Sequence, residues 1–86
     1  MQKVILYYKF VPVKDPDMTM RWQRELCERL GLKGRIIIST HGINGTLGGH
    51  IDKLRAYKSE MNKSVVFKGI MYKWSDAAAD HFPKLS

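Results

Sequence analysis

The sequence predicts an α+β domain with elements in the order strand, helix, strand, strand, helix, strand. Three observations carry this expectation. The chain begins with a β-branched and aromatic run, Val4 to Val11; two later stretches repeat apolar residues at helical spacing; and a Gly-rich segment between those stretches has the composition of a hairpin. At 86 residues, the chain is long enough for one compact unit with a small core, and 44% apolar content is sufficient to fill it.

Val4-Ile5-Leu6-Tyr7-Tyr8-Lys9-Phe10-Val11 is apolar on both alternating faces, as expected of a strand lying centrally in a sheet or covered on both sides. Pro12 stops the ladder. Asp15-Pro16-Asp17 then reads as a helix start: Asp15 can cap, Pro16 suits the first helical position, and carboxylates complement the helix dipole. The helix is expected to run from Pro16 to Leu30, with Met18, Trp22, Leu26 and Leu30 on its buried stripe beside Cys27, and Gly31 as its left-handed stop. Arg35 to Thr40 is the second strand. The stretch His41 to Gly49 holds a turn and a short third strand, with an apex at either Asn44-Gly45 or, preferably, His41-Gly42, which leaves more residues for the return. Ile51, Leu54, Tyr57 and Met61 mark a second helix. A final strand is expected over Val65 to Trp74, with a bulge at Gly69. With both helices on one face of an antiparallel sheet, this is the ferredoxin-like arrangement over residues 1–75, followed by a connector at 76–86.

Fifteen basic against eight acidic residues give a net charge of +7, which favours a polyanionic partner. The surplus is spread evenly: residues 1–43 carry 8 basic and 4 acidic side chains, and residues 44–86 carry 7 and 4. One cysteine allows no internal disulfide, and no apolar run approaches a membrane span, so a reducing, cytoplasmic setting is expected.

Catalytic constellations are poorly supported. Cys27, on the apolar side of its helix, reads as a buried structural thiol before a reactive one. His41, His50 and His81 lack metal-ligand spacing, so no metal or other cofactor is expected. His41 stands out among them because a turn beside a Gly-rich strand can display a binding residue. The glycines after it form no phosphate-loop motif and mean either close packing or the approach of a ligand. RNA-recognition motifs share this element order and stack bases on aromatics of their first and third strands. Here the third strand has none, so Tyr7, Tyr8, Phe10, Trp22 and Trp74 are expected to serve core and sheet packing. Lys9, Lys73 and Lys84 could line one sheet edge and meet phosphates.

Tyr7-Tyr8-Lys9-Phe10, Asp15-Pro16, Trp22-Gln23-Arg24-Glu25-Leu26-Cys27, Leu30-Gly31-Leu32-Lys33-Gly34-Arg35, Gly42-Ile43-Asn44-Gly45-Thr46, Lys73-Trp74-Ser75 and Phe82-Pro83-Lys84-Leu85 together resemble the N-terminal domain of the rhodanese-domain tRNA uridine hydroxylases. The resemblance implies an acylphosphatase-like fold and a two-part enzyme. Its relatives use molecular oxygen to form 5-hydroxyuridine at the wobble position of certain tRNAs, with the essential cysteine in a downstream rhodanese domain that would follow Ser86. Cys27 does not occupy that catalytic position. The expected partners are therefore tRNA and the rhodanese domain. Lys9, Arg35, His41, Asn44, Lys73 and Lys84 are the candidates for RNA or interdomain contact, and Gly42, Gly45 and Thr46 form the structural motif. Two other readings are an acylphosphatase-like hydrolase using Arg21 and Asn44, and a purely structural interaction domain. The first lacks the Arg and glycines that acylphosphatases place in the loop after the first strand, here Val11 to Asp17.

Overall fold

The computed structural model describes residues 1–76. Lys84, His81 and all of the connector except Asp76 lie outside the described residues. The elements are β1 (Gln2–Phe10), α1 (Pro16–Leu30), β2 (Lys33–Ser39), β3 (Gly42–His50), α2 (Ile51–Asn62) and β4 (Lys73–Ser75). They form a four-stranded sheet in the order β2-β3-β1-β4 with antiparallel pairing throughout, the ferredoxin-like arrangement. β1 is central, paired on one side with β3 and on the other with β4, as expected from its apolar pattern.

Local chemistry fixes α1. The Asp15 carboxylate accepts from the Met18 amide at 3.0 Å, Pro16 opens the helix, and Gly31 closes it at φ 68, a conformation that glycine adopts without steric penalty. Its buried stripe differs from expectation. Met18 is 63% exposed, while Gln23 and Leu26 form the buried centre, with Trp22, Cys27 and Leu30 partly buried around them. α2 is capped by His50, whose Nδ1 accepts from the Asp52 amide at 3.2 Å.

The hairpin departs from expectation by one residue. Ser39 pairs with Gly42, leaving Thr40 and His41 as its two-residue loop. β3 is consequently nine residues long, not short, and pairs along its full length with β1.

The greater correction is at the last strand, which comprises three residues where ten were expected. Residues 65–69 are turns. The Lys68 amide donates to the Ser64 carbonyl, the Phe67 amide to Ser64 Oγ, and the Gly69 amide to Asn62 Oδ1. Gly69, at φ +82, belongs to this turn rather than to a bulge. The turn drives Phe67 and Ile70 into the core, with Phe67 stacked on Trp22 at 6.2 Å between ring centroids.

Both helices cover the sheet face bearing Ile5, Tyr7, Ile36, Ile38, Ile43, Leu47 and Trp74. Gly45 also lies on that face. A Cβ there would come within 2.5 Å of the Tyr7 ring, so this motif glycine is required by close packing. Gly42 is set by similar crowding, because a side chain there would strike the Lys9 carbonyl.

Candidate functional site: the helix-free face of the sheet

The register determines what the uncovered face displays. Three cross-strand rows span it: Ser39, Gly42 and Phe10; Ile37, Asn44 and Tyr8; and Arg35, Thr46, Leu6 and Lys73. A fourth row contains Lys33, Gly48, Val4 and Ser75. The β3 positions are all small, so this strand forms the floor of a furrow with taller side chains from β1 and β2 on its banks.

Tyr8 is 67% and Phe10 83% exposed, with ring centroids 5.5 Å apart and planes tilted at 58°. Leu6, Ile37 and Met71 are exposed alongside them. The expectation that the first-strand aromatics serve packing therefore holds for Tyr7 alone. Strand alternation places Tyr7 in the core and its two neighbours in solvent. Tyr8, Phe10 and Ile37 line a recess of about 360 Å³ with Ser39, His41 and Asn44 at its polar side. The Asn44 side-chain amide has no hydrogen-bond partner among the described residues.

Charge is distributed unequally between the layers. The four strands carry Lys3, Lys9, Lys33, Arg35 and Lys73 and no acidic residue. The described acidic residues all lie on the helices, at a helix cap or at Asp76, which pairs with Lys3.

The structure gathers some of the sequence candidates and separates others. His41 and Asn44 share the aromatic recess. Asn44 and Lys73 share a smaller one, of about 290 Å³, with Leu6, Thr46 and Met71. Arg35 is exposed at the far bank, in the same row as Lys73. Lys9 also borders the aromatic recess, but its amine is engaged on the covered side, donating to the carbonyls of Val66 and Lys68 at 3.0 and 2.9 Å, so it anchors the segment after α2 and shares no edge with Lys73.

The hydrolase pair is not assembled. Arg21 belongs to α1, on the covered side of the sheet, and Asn44 projects from the other side. The loop after β1 is also committed: the Val11 and Val13 amides donate to the carbonyls of His41 and Thr40, so they are not available to cradle a phosphate. Cys27 is half-buried, and burial pushes its thiol up to about 11, which keeps it protonated and a poor nucleophile at neutral pH. Among the described residues, no group of three or more His, Cys, Asp or Glu side chains is placed to hold a metal ion, and no helix is long and apolar enough to cross a membrane.

In the core, the sequence reading missed Gln23, which is fully buried. Tyr57 donates to Gln23 Oε1 at 2.5 Å, and Gln23 Nε2 donates to Met61 Sδ at 3.2 Å. With the Tyr57 proton so used, Tyr7 donates to Tyr57, and one directed chain links β1, α2 and α1.

Comparison with known proteins agrees with this architecture. A solved BLUF protein, BlrB in its dark state, is similar with a TM-score of 0.78 at 19% identity, covering 98% of this chain and 67% of that one. A bacterial light-regulated adenylyl cyclase is similar at 0.75 and 15% identity, covering 99% of this chain and 26% of that one. At these identities the likeness is one of fold. Among curated proteins, the tRNA uridine(34) hydroxylase of Corynebacterium diphtheriae is 56% identical over 98% of this chain. That of Pseudarthrobacter chlorophenolicus is 49% identical over the whole chain. The chain spans only 27% and 29% of their respective lengths. A family model described as the UPF0176 acylphosphatase-like domain matches residues 2–86, and the chain belongs to that family.

Proposed function

We propose that this chain is the N-terminal accessory unit of a tRNA uridine hydroxylase, inactive in isolation, and that its helix-free face helps to position the tRNA for a catalytic domain elsewhere in the polypeptide. The observation that carries the reading is the placement of Arg35, Lys33 and Lys73 on an uncovered sheet face whose strands hold no acidic residue. A polyanion gains from that field without paying repulsion at close range. The identity to named hydroxylases, over roughly a quarter of their length, supplies the context.

Titration of the chain with tRNA across a salt series tests it. Affinity is expected to fall steeply with salt, and the combined Arg35→Ala and Lys73→Ala substitution is expected to lower the logarithmic salt slope by about 1.5 to 2, the value for two phosphate contacts. A slope unchanged in the variant, or absence of binding at low salt, would overturn the reading.

Interdomain support is a second reading, favoured by an open groove of about 860 Å³ between α1 and the edge strand β2, where Cys27, Ile36, Ile38 and Leu47 meet. A strand edge unpaired among the described residues, beside a groove with an apolar floor and a charged rim of Arg24, Glu28, Lys33 and Arg35, suits a further part of the same polypeptide. The two surfaces meet along β2, where Lys33 and Arg35 also line the groove, whereas Lys73, Tyr8 and Phe10 belong to the helix-free face alone.

A further inference from the structure

The basic residues account for attraction to a polyanion but not for the aromatics beside them. Tyr8 and Phe10 occupy alternate positions of the central strand, both rings are largely in solvent, and neither is needed by the core on the other side of the sheet. Five large apolar side chains, Leu6, Tyr8, Phe10, Ile37 and Met71, are exposed here. A concentration of this kind marks a binding surface. Its companions identify the ligand: Arg35 and Lys73 end the adjacent row, and a side-chain amide stands between aromatic and basic zones.

We propose that this face is a stacking platform for an unpaired nucleobase of RNA. The base stacks on one of the two rings with the other tilted against its side, its hydrogen-bonding edge meets the Asn44 side-chain amide, and the flanking phosphates run toward Arg35 and Lys73. The inference rests on the tRNA reading and adds that a single-stranded segment, not a helical stem, is what the domain grips. Paired bases present no free ring face, whereas an unstacked base offers one face to an aromatic and an open edge to an amide that both donates and accepts. The recess of about 360 Å³ lies at the low end of ligand sites, which span about 300 to 1,000 Å³, and suits one base rather than a larger cofactor.

The test uses the chain with two RNA probes, a uridine-rich single strand and a blunt duplex of equal charge, followed by fluorescence anisotropy of labelled RNA. The single strand is expected to bind more tightly. Phe10→Ala and Tyr8→Ala should each weaken it about tenfold or more with an unchanged salt slope, because stacking releases no counterions, while Tyr8→Phe should retain affinity. Both side chains are exposed, and circular dichroism verifies that each variant remains folded. If tRNA binds with a steep salt slope but the alanine variants bind the single strand as the parent does, stacking is overturned and the electrostatic reading survives. If neither tRNA nor the single strand binds at low salt, both fall. A dimer in light scattering that Phe10→Ala dissociates would assign the face to a second copy and overturn the proposal. The face would pass to the rest of the polypeptide if, in a full-length hydroxylase, the alanine variants lowered thermal stability while leaving tRNA affinity unchanged.

Discussion

Two tyrosine hydroxyls in the core have opposite energetic roles. Tyr57 both accepts from Tyr7 and donates to Gln23, whereas the buried Tyr72 hydroxyl has no hydrogen-bond partner among the described residues. Removing the first strands two buried polar groups, and removing the second strands none. Tyr57→Phe is expected to destabilise by about 1 to 3 kcal/mol, and Tyr72→Phe to leave stability unchanged or raise it, as measured by urea unfolding. Alkaline pH tests the same groups. Burial holds Tyr7 and Tyr57 well above the ordinary phenol range, raises Tyr72 to about 12, and raises the Cys27 thiol to about 11. Each folded value exceeds the unfolded one, so this stability is complete below about pH 9 and is lost as pH rises through 11 and 12. The urea midpoint should be flat from neutral pH to about 9 and then fall, and a rising midpoint would contradict the assignment. Gln23 was illegible in the sequence because nothing local distinguishes a buried amide from the exposed polar residues around it. Its partners are 34 and 38 residues away.

Elements whose determinants are local were readable, and those set by distant contacts were not. Asp15, Pro16 and Gly31 define α1 within the helix and its flanks, and both ends agree with expectation. Val65 and Val66 carry strand propensity, yet this segment is held as a turn by hydrogen bonds that its amides donate to Ser64 and Asn62 and that its carbonyls accept from the Lys9 amine. Propensity loses here to tertiary satisfaction of backbone groups. Lys9→Met should therefore loosen residues 65–70 selectively, seen as faster amide exchange there with little change in α1; uniform behaviour across the chain would show that the anchor is dispensable.

For the molecule as a whole, the sequence disclosed the basic surplus and several candidate positions but not their facing. That depended on register, which the one-residue hairpin difference illustrates, and which turns Tyr8 and Phe10 to solvent where a third strand without aromatics leads to an expectation of packing. The unequal charge of the two layers gives a matched comparison. Arg35→Glu in β2 and Arg29→Glu in α1 each lower the net charge of +7 by two. If only the total mattered, they would weaken tRNA binding alike. The layered arrangement predicts that Arg35→Glu weakens it at least about tenfold more than Arg29→Glu in the same titration.

The furrow over β3 has unlike ends. One holds Phe10, Gly42 and Ser39, and the other Lys33, Gly48 and Val4, with Arg35 and Lys73 in the row beside it. A polymer laid along such a trough is not read the same way in both senses. An RNA strand has its own 5′ to 3′ polarity, so the two orientations would place base and phosphate against different neighbours. The domain would then act as an arrow as well as a grip, setting the direction in which a bound strand leaves the sheet.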